Sequence, residues 1–326
     1  MSANFAVRLC SLLLLIGGIA AQAQAHAAET PITLDTPTGQ LAGTLELPAG
    51  ADKPRLALLI AGSGPTDRDG NSSMIPGRND SLKLLAAGLA DAGIATVRYD
   101  KRGIGGSHAA GSAESALRFE MFVDDAAAWI ARLKADPRFA SVAVIGHSEG
   151  SLIGMLAARQ ADAAAFVSIA GIADGASTLM RKQLERKLPP ELEKESERIL
   201  VSLESGVVVD PVPPALATLF RPSVQPYLIS WFKYVPAQRI AELTMPVLVV
   251  QGNTDIQVDV VQANRLHGAR PGAKLEIIPG MNHVFKHVRA VPELQVASYG
   301  DPSLPVSPLL VKSIADFLQQ GGAATP

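Results

Sequence analysis

A short apolar run followed by a G-x-S-x-G sequence constrains this chain more than any other feature. Residues 142–145 are all apolar, residues 146–150 read Gly-His-Ser-Glu-Gly, and a stretch compatible with a helix follows. A buried strand that turns sharply into a helix needs glycine on both sides of the turn, because a Cβ there would collide with the neighbouring strand or helix. The pattern therefore predicts that the Ser148 hydroxyl projects from the turn, at the positive end of the helix dipole, as a candidate nucleophile. An ordinary glycine-rich turn is the alternative.

Strand and helix patterns alternate along most of the chain. Strand patterns, several of them the continuous apolar runs typical of strands buried on both faces, occur at residues 56–61, 94–99, 142–145, 165–170, 246–251 and 274–278. Helical spacing of apolar residues predicts helices at residues 80–92, 120–135, 258–266 and 308–319, and a further helix from the turn at Ser148 to about residue 161. Residues 31–36 and 40–47 predict an antiparallel hairpin at a sheet edge. The expected fold class is α/β, a mostly parallel central sheet with helices on both faces and with sites at the carboxyl ends of the strands.

The alternation stops at residues 172–244, which predicts an inserted helical cap between two parts of one core, residues 29–171 and 245–320. Residues 178–204 are amphipathic and rich in charge, and a proline-rich segment follows them. We expect four aromatic residues of that segment to contact a substrate: Phe220, Tyr227, Trp231 and Phe232. A surface helical hairpin with a loosely packed tail is the alternative.

The first residues have the pattern of a cleaved secretory signal. Arg8 precedes an apolar run at residues 12–19, and overlapping A-x-A patterns follow at residues 21–27. We expect residues 1–25 to be a signal peptide and the mature protein to be secreted or periplasmic; a membrane anchor is the alternative, although the apolar run is short for one. The single cysteine, Cys10, would leave with the signal, so the mature protein would have no disulfide, no thiol nucleophile and no Cys-based metal site.

The charges are balanced, and no motif indicates a cofactor or a metal. The chain has 29 basic and 31 acidic residues without a block of one sign, so it lacks the charge pattern of a nucleic-acid-binding protein. Glycine-rich residues 62–65 and 103–106 lack the rest of a phosphate-loop or dinucleotide-binding sequence. Residues 67–71 weakly resemble a calcium loop, but Arg78 stands where the closing Glu would fall. We expect a small-molecule substrate, no cofactor, and no membrane contact after signal cleavage.

A serine hydroxyl needs a base, and the base needs an orienting acid. His283 is the favoured base because it lies in a loop after a predicted strand, with His287 as second choice. Asp255 is the favoured acid because it follows another buried strand, whereas Asp259 has a helix-capping role as its alternative. The resulting order along the chain is serine, acid, histidine, which strand-turn-helix hydrolases use.

Stabilising an oxyanion requires two N–H groups that converge near the nucleophile. The N–H of Glu149 follows Ser148 directly at the start of the predicted helix. The N–H of Ser63 is the second candidate, because glycines on both sides of Ser63 let the backbone approach a substrate at the end of an earlier strand.

Three segments together resemble the α/β-hydrolases, and within them a group of bacterial carboxylesterases related to serine aminopeptidase-like (S33-type) hydrolases. They are Gly-Ser-Gly-Pro-Thr-Asp-Arg-Asp-Gly-Asn at residues 62–71, Asp-Lys-Arg-Gly-Ile-Gly-Gly-Ser at residues 100–107, and the G-x-S-x-G sequence at residues 146–150. The resemblance extends over residues 32–319. One departure is Ala61 before Gly62, where many relatives have histidine, so only a backbone donor at Ser63 is carried over.

The resemblance implies an α/β-hydrolase fold and hydrolysis of carboxylic esters through an acyl-enzyme on Ser148, with His283 and Asp255 completing the triad. Peptidase or thioesterase activity is the alternative within hydrolases. A non-catalytic binding module that retains the fold is the alternative outside them.

Overall fold

The computed structural model of the protein describes residues 28–185 and 187–321. In this part of the chain an eight-stranded sheet has the order β1-β2-β4-β3-β5-β6-β7-β8. The strands are β1 (Ala28–Thr36), β2 (Gly39–Leu47), β3 (Leu56–Ile60), β4 (Ala95–Tyr99), β5 (Val142–His147), β6 (Phe166–Ile169), β7 (Val247–Gly252) and β8 (Lys274–Ile278). The pairs β1–β2 and β2–β4 are antiparallel, and every other neighbouring pair is parallel.

In the described residues, strands and α-helices alternate from β3 to β6 and from β7 to β8, five helices lie between β6 and β7, and two follow β8. The helices are α1 (Ser81–Asp91), α2 (Phe119–Lys134), α3 (Glu149–Gln160), α4 (Ala176–Leu184), α5 (Pro190–Glu204), α6 (Ala217–Phe220), α7 (Gln225–Phe232), α8 (Pro236–Ala241), α9 (Val260–Ala269), α10 (Pro292–Ser298) and α11 (Pro308–Gln319). Most of them bury apolar residues against the sheet or another helix, whereas α10 buries Gln295 and Ser298.

The sheet is covered on both faces, so its central strands are buried from end to end. Every residue of β3, β5 and β7 is buried. One face packs against α2, α3 and α9 in a cluster that includes Phe119, Trp129 and Leu266. The other face packs against α1 and α11 through Leu85, Ile314 and their neighbours. Two buried faces explain why these strands read as continuous apolar runs.

Helices α4 to α8 lie between β6 and β7, in the stretch that the sequence predicts to be a cap, residues 172–244. It has a hydrophobic cluster of its own, built from Ile199, Leu200, Leu203, Val209, Leu216, Phe220 and Leu228. Hydrogen bonds tie it to the core near α2: Phe119 N–H donates to Ser230 Oγ at 2.7 Å, and the Tyr234 hydroxyl donates to Glu120 at 3.1 Å.

The predicted α/β fold class is confirmed, and the predicted hairpin at the sheet edge is formed by β1 and β2. Helix α10 has no counterpart in the sequence analysis; it is short, and its position is held by tertiary bonds such as that from Asn282 Nδ2 to Ser298 Oγ at 2.8 Å. The predicted signal peptide, residues 1–25 with Cys10, lies outside the described residues. None of the helices in the described ranges combines the length and apolar character needed to cross a bilayer.

Candidate active site

The chain turns from β5 into α3 at Ser148 with a strained backbone. Ser148 has φ of 55° and ψ of −121°, a region that residues with side chains rarely adopt. A Cβ on Gly150 would lie 2.5 Å from the Ala61 carbonyl oxygen, and one on Gly146 would lie 2.6 Å from Ser151 Cα. Glycine at both positions therefore allows α3 to begin this close to β3 and β5. Ser148 borders a cavity at the carboxyl end of the sheet.

Asp255 and His283 form a hydrogen-bonded pair after β7 and β8. Asp255 Oδ2 accepts from His283 Nδ1 at 2.8 Å, and the side chains are only 1% and 6% exposed, respectively. The other carboxylate oxygen accepts the N–H groups of Gln257 and Val258, at 2.7 and 2.9 Å. Burial by itself would raise the pKa of Asp255, but His283 and the two N–H groups hold it below its ordinary value. Asp255 is therefore ionised at neutral pH and orients the imidazole through Nδ1.

Ser148 and His283 border the same cavity of 340 Å³. Because Nδ1 is bonded to Asp255, Nε2 is the ring nitrogen left to exchange a proton with a group in the cavity. Ser148 Oγ has no hydrogen-bond partner within 3.5 Å among the residues that the structure describes. Catalytic hydrogen bonds of this kind often tighten only when substrate binds.

His147 supports the loop that carries His283. Its Nε2 donates to the His283 carbonyl oxygen at 3.0 Å, and the two rings lie 4.7 Å apart. Its ring also packs edge-on against Phe285. Burial and the neighbouring His283 lower the pKa of His147 to about 3, so the His147 imidazole is neutral at neutral pH.

The two alternative residues from the sequence have other partners. Asp259 caps helix α9, with its carboxylate accepting the Val261 N–H at 2.8 Å, which is the alternative role that the sequence indicated. His287 Nε2 lies 2.8 Å from Ser307 Oγ. The structure thus brings Asp255, and not Asp259, into contact with His283.

The two candidate oxyanion donors lie beside Ser148. Glu149 is the first residue of α3, so its N–H is among those that have no acceptor within the helix. A Cβ on Gly62 would lie 3.3 Å from Ser148 Cβ, which places the residue before Ser63 against the nucleophile. Within the described chain, no residue accepts a hydrogen bond from the Ser63 N–H.

Charged side chains brace the loop that follows Gly62. Asp100 accepts from the Arg68 N–H at 2.7 Å and from its guanidinium at 2.6 Å. Arg98, buried in β4, bonds Asp69 and Glu46 at 2.9 Å each. Arg98 was not predicted as part of the site, although a charged residue within a buried strand indicates such a network.

The 340 Å³ cavity lies mainly against the loop after β3, on the side of Ser148 away from the cap. It is lined by Gly62, Ser63, Gly64, Thr66, Gly70, Ser72, Met74, Ile75, Asn79, His147, Ser148, Gln257, His283, Val284 and Tyr299. A second, much smaller cavity of 10 Å³ lies on the cap side of Ser148, bordered by Glu149, Leu152, Ile172, Asp174, Ala176, Trp231 and Pro236.

The four cap aromatics that the sequence predicts to contact substrate lie in different surroundings. Trp231 borders the small cavity, and Tyr227 lies near the Glu149 carboxylate, which with burial raises the pKa of its hydroxyl. Phe220 is fully buried in the cap's own hydrophobic cluster, and Phe232 packs against the same cluster. The large cavity instead has Met74, Ile75 and Tyr299 as its bulky lining residues. In the described ranges no three His, Cys, Asp or Glu residues form a group that could hold a metal ion.

Comparison with known proteins agrees with this geometry. Residues 76–204 match the family model described as serine aminopeptidase, S33. Esterase EstD of Thermotoga maritima is 28% identical over 256 residues, which cover 77% of this chain and 59% of EstD. Est1E from Butyrivibrio proteoclasticus, solved with ferulic acid, superposes with a TM-score of 0.61 at 20% identity, covering 89% of this chain and 98% of Est1E. The chain has the α/β-hydrolase fold.

The same fold also occurs in a peptidase. Acylaminoacyl peptidase from Pyrococcus horikoshii superposes with a TM-score of 0.54 at 15% identity, covering 91% of this chain and 42% of the peptidase. The α/β-hydrolase fold therefore leaves the choice between ester and peptide substrates to the details of the site.

Proposed function

We propose that this α/β-hydrolase is an exported serine hydrolase that cleaves carboxylic esters through an acyl-enzyme on Ser148. The observation that carries the proposal is the buried Asp255–His283 pair, which borders the same cavity as the strained Ser148. Three side chains from distant parts of the sequence meet at one end of the sheet, as a nucleophile, base and orienting acid must. Similarity to EstD supports the ester substrate.

The reaction follows from these positions. Ser148 Oγ attacks the ester carbonyl while His283 Nε2 takes its proton, and the N–H groups of Ser63 and Glu149 bind the oxyanion. The imidazolium then protonates the leaving alcohol as the C–O bond breaks, which leaves the acyl group on Ser148. A water molecule, deprotonated by His283, attacks the acyl-enzyme and releases the acid, and the proton returns to Ser148.

The charges around the two cavities favour an uncharged substrate. The residues that line the large cavity include no Asp, Glu, Lys or Arg. The small cavity has two carboxylates, but each already has cationic or hydrogen-bonding partners: Glu149 has Lys101 and Tyr227, and Asp174 has Lys182 and Arg265. An aminopeptidase needs a free carboxylate for the substrate amine, so an ester fits these surfaces better.

The position of His283 indicates which cavity holds the alcohol and which holds the acyl group of the ester. Ser148 borders both cavities, whereas His283 borders only the larger of the two. The leaving alcohol has to reach the imidazole that protonates it, so the alcohol lies in the 340 Å³ cavity. The acyl group then lies in the cap-side cavity. The volume of that cavity, 10 Å³, is about the room that one water molecule occupies. We expect acetyl esters of larger alcohols to be the best substrates.

Single substitutions in matched pairs test the triad. Ser148→Ala should lower kcat/KM for p-nitrophenyl acetate by about 10⁴-fold or more, because the nucleophile is lost. Asp255→Asn should lower kcat by about 10⁴-fold, because the imidazole loses its orientation and charge partner. Asp259→Asn and His287→Ala, which alter neighbouring residues with other partners, should stay within about threefold of the wild type.

The same assay should be run with aminoacyl-anilides and acyl thioesters. Turnover of those substrates but not of esters would contradict the proposed substrate class. A folded wild-type protein that turns over none of the three would contradict the enzyme proposal as a whole.

Acyl-chain selectivity tests the assignment of the two cavities. Trp231→Ala should enlarge the cap-side cavity, so that a longer acyl chain fits there. The ratio of kcat/KM for an acetyl ester to that for a hexanoyl ester should therefore fall at least about tenfold. Phe232→Ala removes a neighbouring aromatic that packs in the cap cluster, and it should leave the ratio unchanged. Equal acetyl-to-hexanoyl ratios in the wild type, Trp231→Ala and Phe232→Ala would show that the acyl group does not lie beside Trp231.

Export is proposed from residues 1–25 alone, in which Arg8, an apolar run and A-x-A patterns follow one another. In a bacterial host with two membranes, the full chain should appear in the periplasmic fraction with its first 23 to 27 residues removed. A chain that starts at residue 28 should stay in the cytoplasm. An uncleaved full chain in the cytoplasm or in the membrane fraction would contradict the proposal.

A further inference from the structure

Lys101 is a buried lysine whose ammonium group has a main-chain partner at the site. It follows β4 within the segment at residues 100–107 and is 4% exposed. Its Nζ donates a hydrogen bond to the Gly62 carbonyl oxygen at 2.5 Å. Nζ also lies 5.8 Å from the centre of the Phe122 ring. Lysine is seldom buried to this extent, because desolvating its charge is costly, so its partners require an explanation.

The peptide group that Lys101 holds is the one that carries a candidate oxyanion donor. The Gly62 carbonyl and the Ser63 N–H belong to the same planar peptide bond and point in opposite directions when it is trans. Fixing the oxygen on Lys101 therefore directs the Ser63 N–H to the opposite side. Gly62, Ser63 and Ser148 all line the 340 Å³ cavity, and Lys101 does not. A glycine before Ser63 would otherwise leave this peptide free to rotate.

The second donor is connected to the same lysine. Glu149 Oε1 lies 3.9 Å from Lys101 Nζ, and both side chains are buried. The Glu149 N–H begins helix α3, so its position follows that of the helix. Burial and the Glu149 carboxylate raise the pKa of the Tyr227 hydroxyl, which comes from the cap. Lys101 thus contacts Glu149 and the peptide that carries the Ser63 N–H, and it is not among the residues that line the 340 Å³ cavity.

We propose that Lys101 is a positioning residue that holds the Gly62–Ser63 peptide in the orientation in which the Ser63 N–H stabilises the oxyanion. This inference rests on the proposed esterase function. It gives the segment at residues 100–107 a role in the reaction. Because the interaction acts on a group that binds only the developing oxyanion, its loss should appear in kcat and leave substrate binding nearly unchanged.

The test uses Lys101→Met, the double variant Lys101→Met with Glu149→Gln, and Lys134→Met as a control. Lys134 also donates to main-chain carbonyls, those of Ala161 and Asp162 at 3.0 and 2.6 Å. Lys134 belongs to α2, and its Nζ lies beside the C-terminal end of α3. That end is about 18 Å from Ser148 at 1.5 Å per helical residue. The double variant leaves no buried carboxylate unpaired, and so it carries the test if Lys101→Met alone does not fold.

We expect Lys101→Met to lower kcat for p-nitrophenyl acetate on the order of 10²-fold, as loss of one oxyanion donor does, with KM within about twofold. Affinity for a boronic acid that forms a tetrahedral adduct should fall by a similar factor. The double variant should show the same loss, because the Gly62 carbonyl still has no donor. Lys134→Met should match the wild type in both measurements.

Two results would overturn the inference. One is a folded Lys101→Met variant with kcat within about threefold of the wild type. The other is recovery of kcat in the double variant, since the defect would then come from the unpaired Glu149 charge and not from the peptide.

A crystal structure of the variant separates this inference from the esterase proposal. The Gly62–Ser63 peptide should be rotated or present in two orientations when Lys101 is replaced. An unchanged single orientation would reject the positioning role even if the wild-type protein hydrolysed no ester. If the wild type hydrolysed no ester but the Gly62–Ser63 peptide were rotated in the variant, only the esterase proposal would be rejected.

Discussion

The site depends on how closely helix α3 approaches the ends of β3 and β5. Glycine at residues 146 and 150 removes the side chains that would hold these elements apart, and the chain between them turns with Ser148 at a φ of 55°. The same approach brings the first N–H of α3 beside the Gly62–Ser63 loop. One steric contact therefore sets the position of the nucleophile and of both candidate oxyanion donors. A well-packed sheet supplies the rigidity that such a strained turn needs.

The loop after β4 extends this rigidity to the rest of the site. Asp100 and Lys101 both bind the loop after β3, at Arg68 and at the Gly62 carbonyl. Arg102 binds Asp125 in α2 at 2.8 Å. All three side chains are buried, and each has a partner. Breaking such a bond leaves an uncompensated charge, so these contacts favour one arrangement of the loops over others.

Much of the fold and part of the site could be predicted from the sequence because the signals are local. The strand-turn-helix pattern locates Ser148, and strand ends locate Asp255 and His283, whose contact the structure shows. The large cavity could not be predicted, because Met74 and Tyr299 come together only through the packing of distant loops. Phe220 was misjudged because an aromatic residue in a proline-rich segment has the same local pattern whether it borders a substrate or, as here, fills the cap's own core.

The central claim is that the Ser148 hydroxyl is the nucleophile that His283 activates. Peptide mass mapping after treatment with a fluorophosphonate tests it most directly, since such reagents bond covalently to an activated serine. The tryptic peptide of residues 139–159 contains three serines, so fragmentation has to locate the adduct within it. We predict a single adduct on Ser148, formed much more slowly in His283→Ala. An adduct on another residue, or none on the folded protein, would contradict the account.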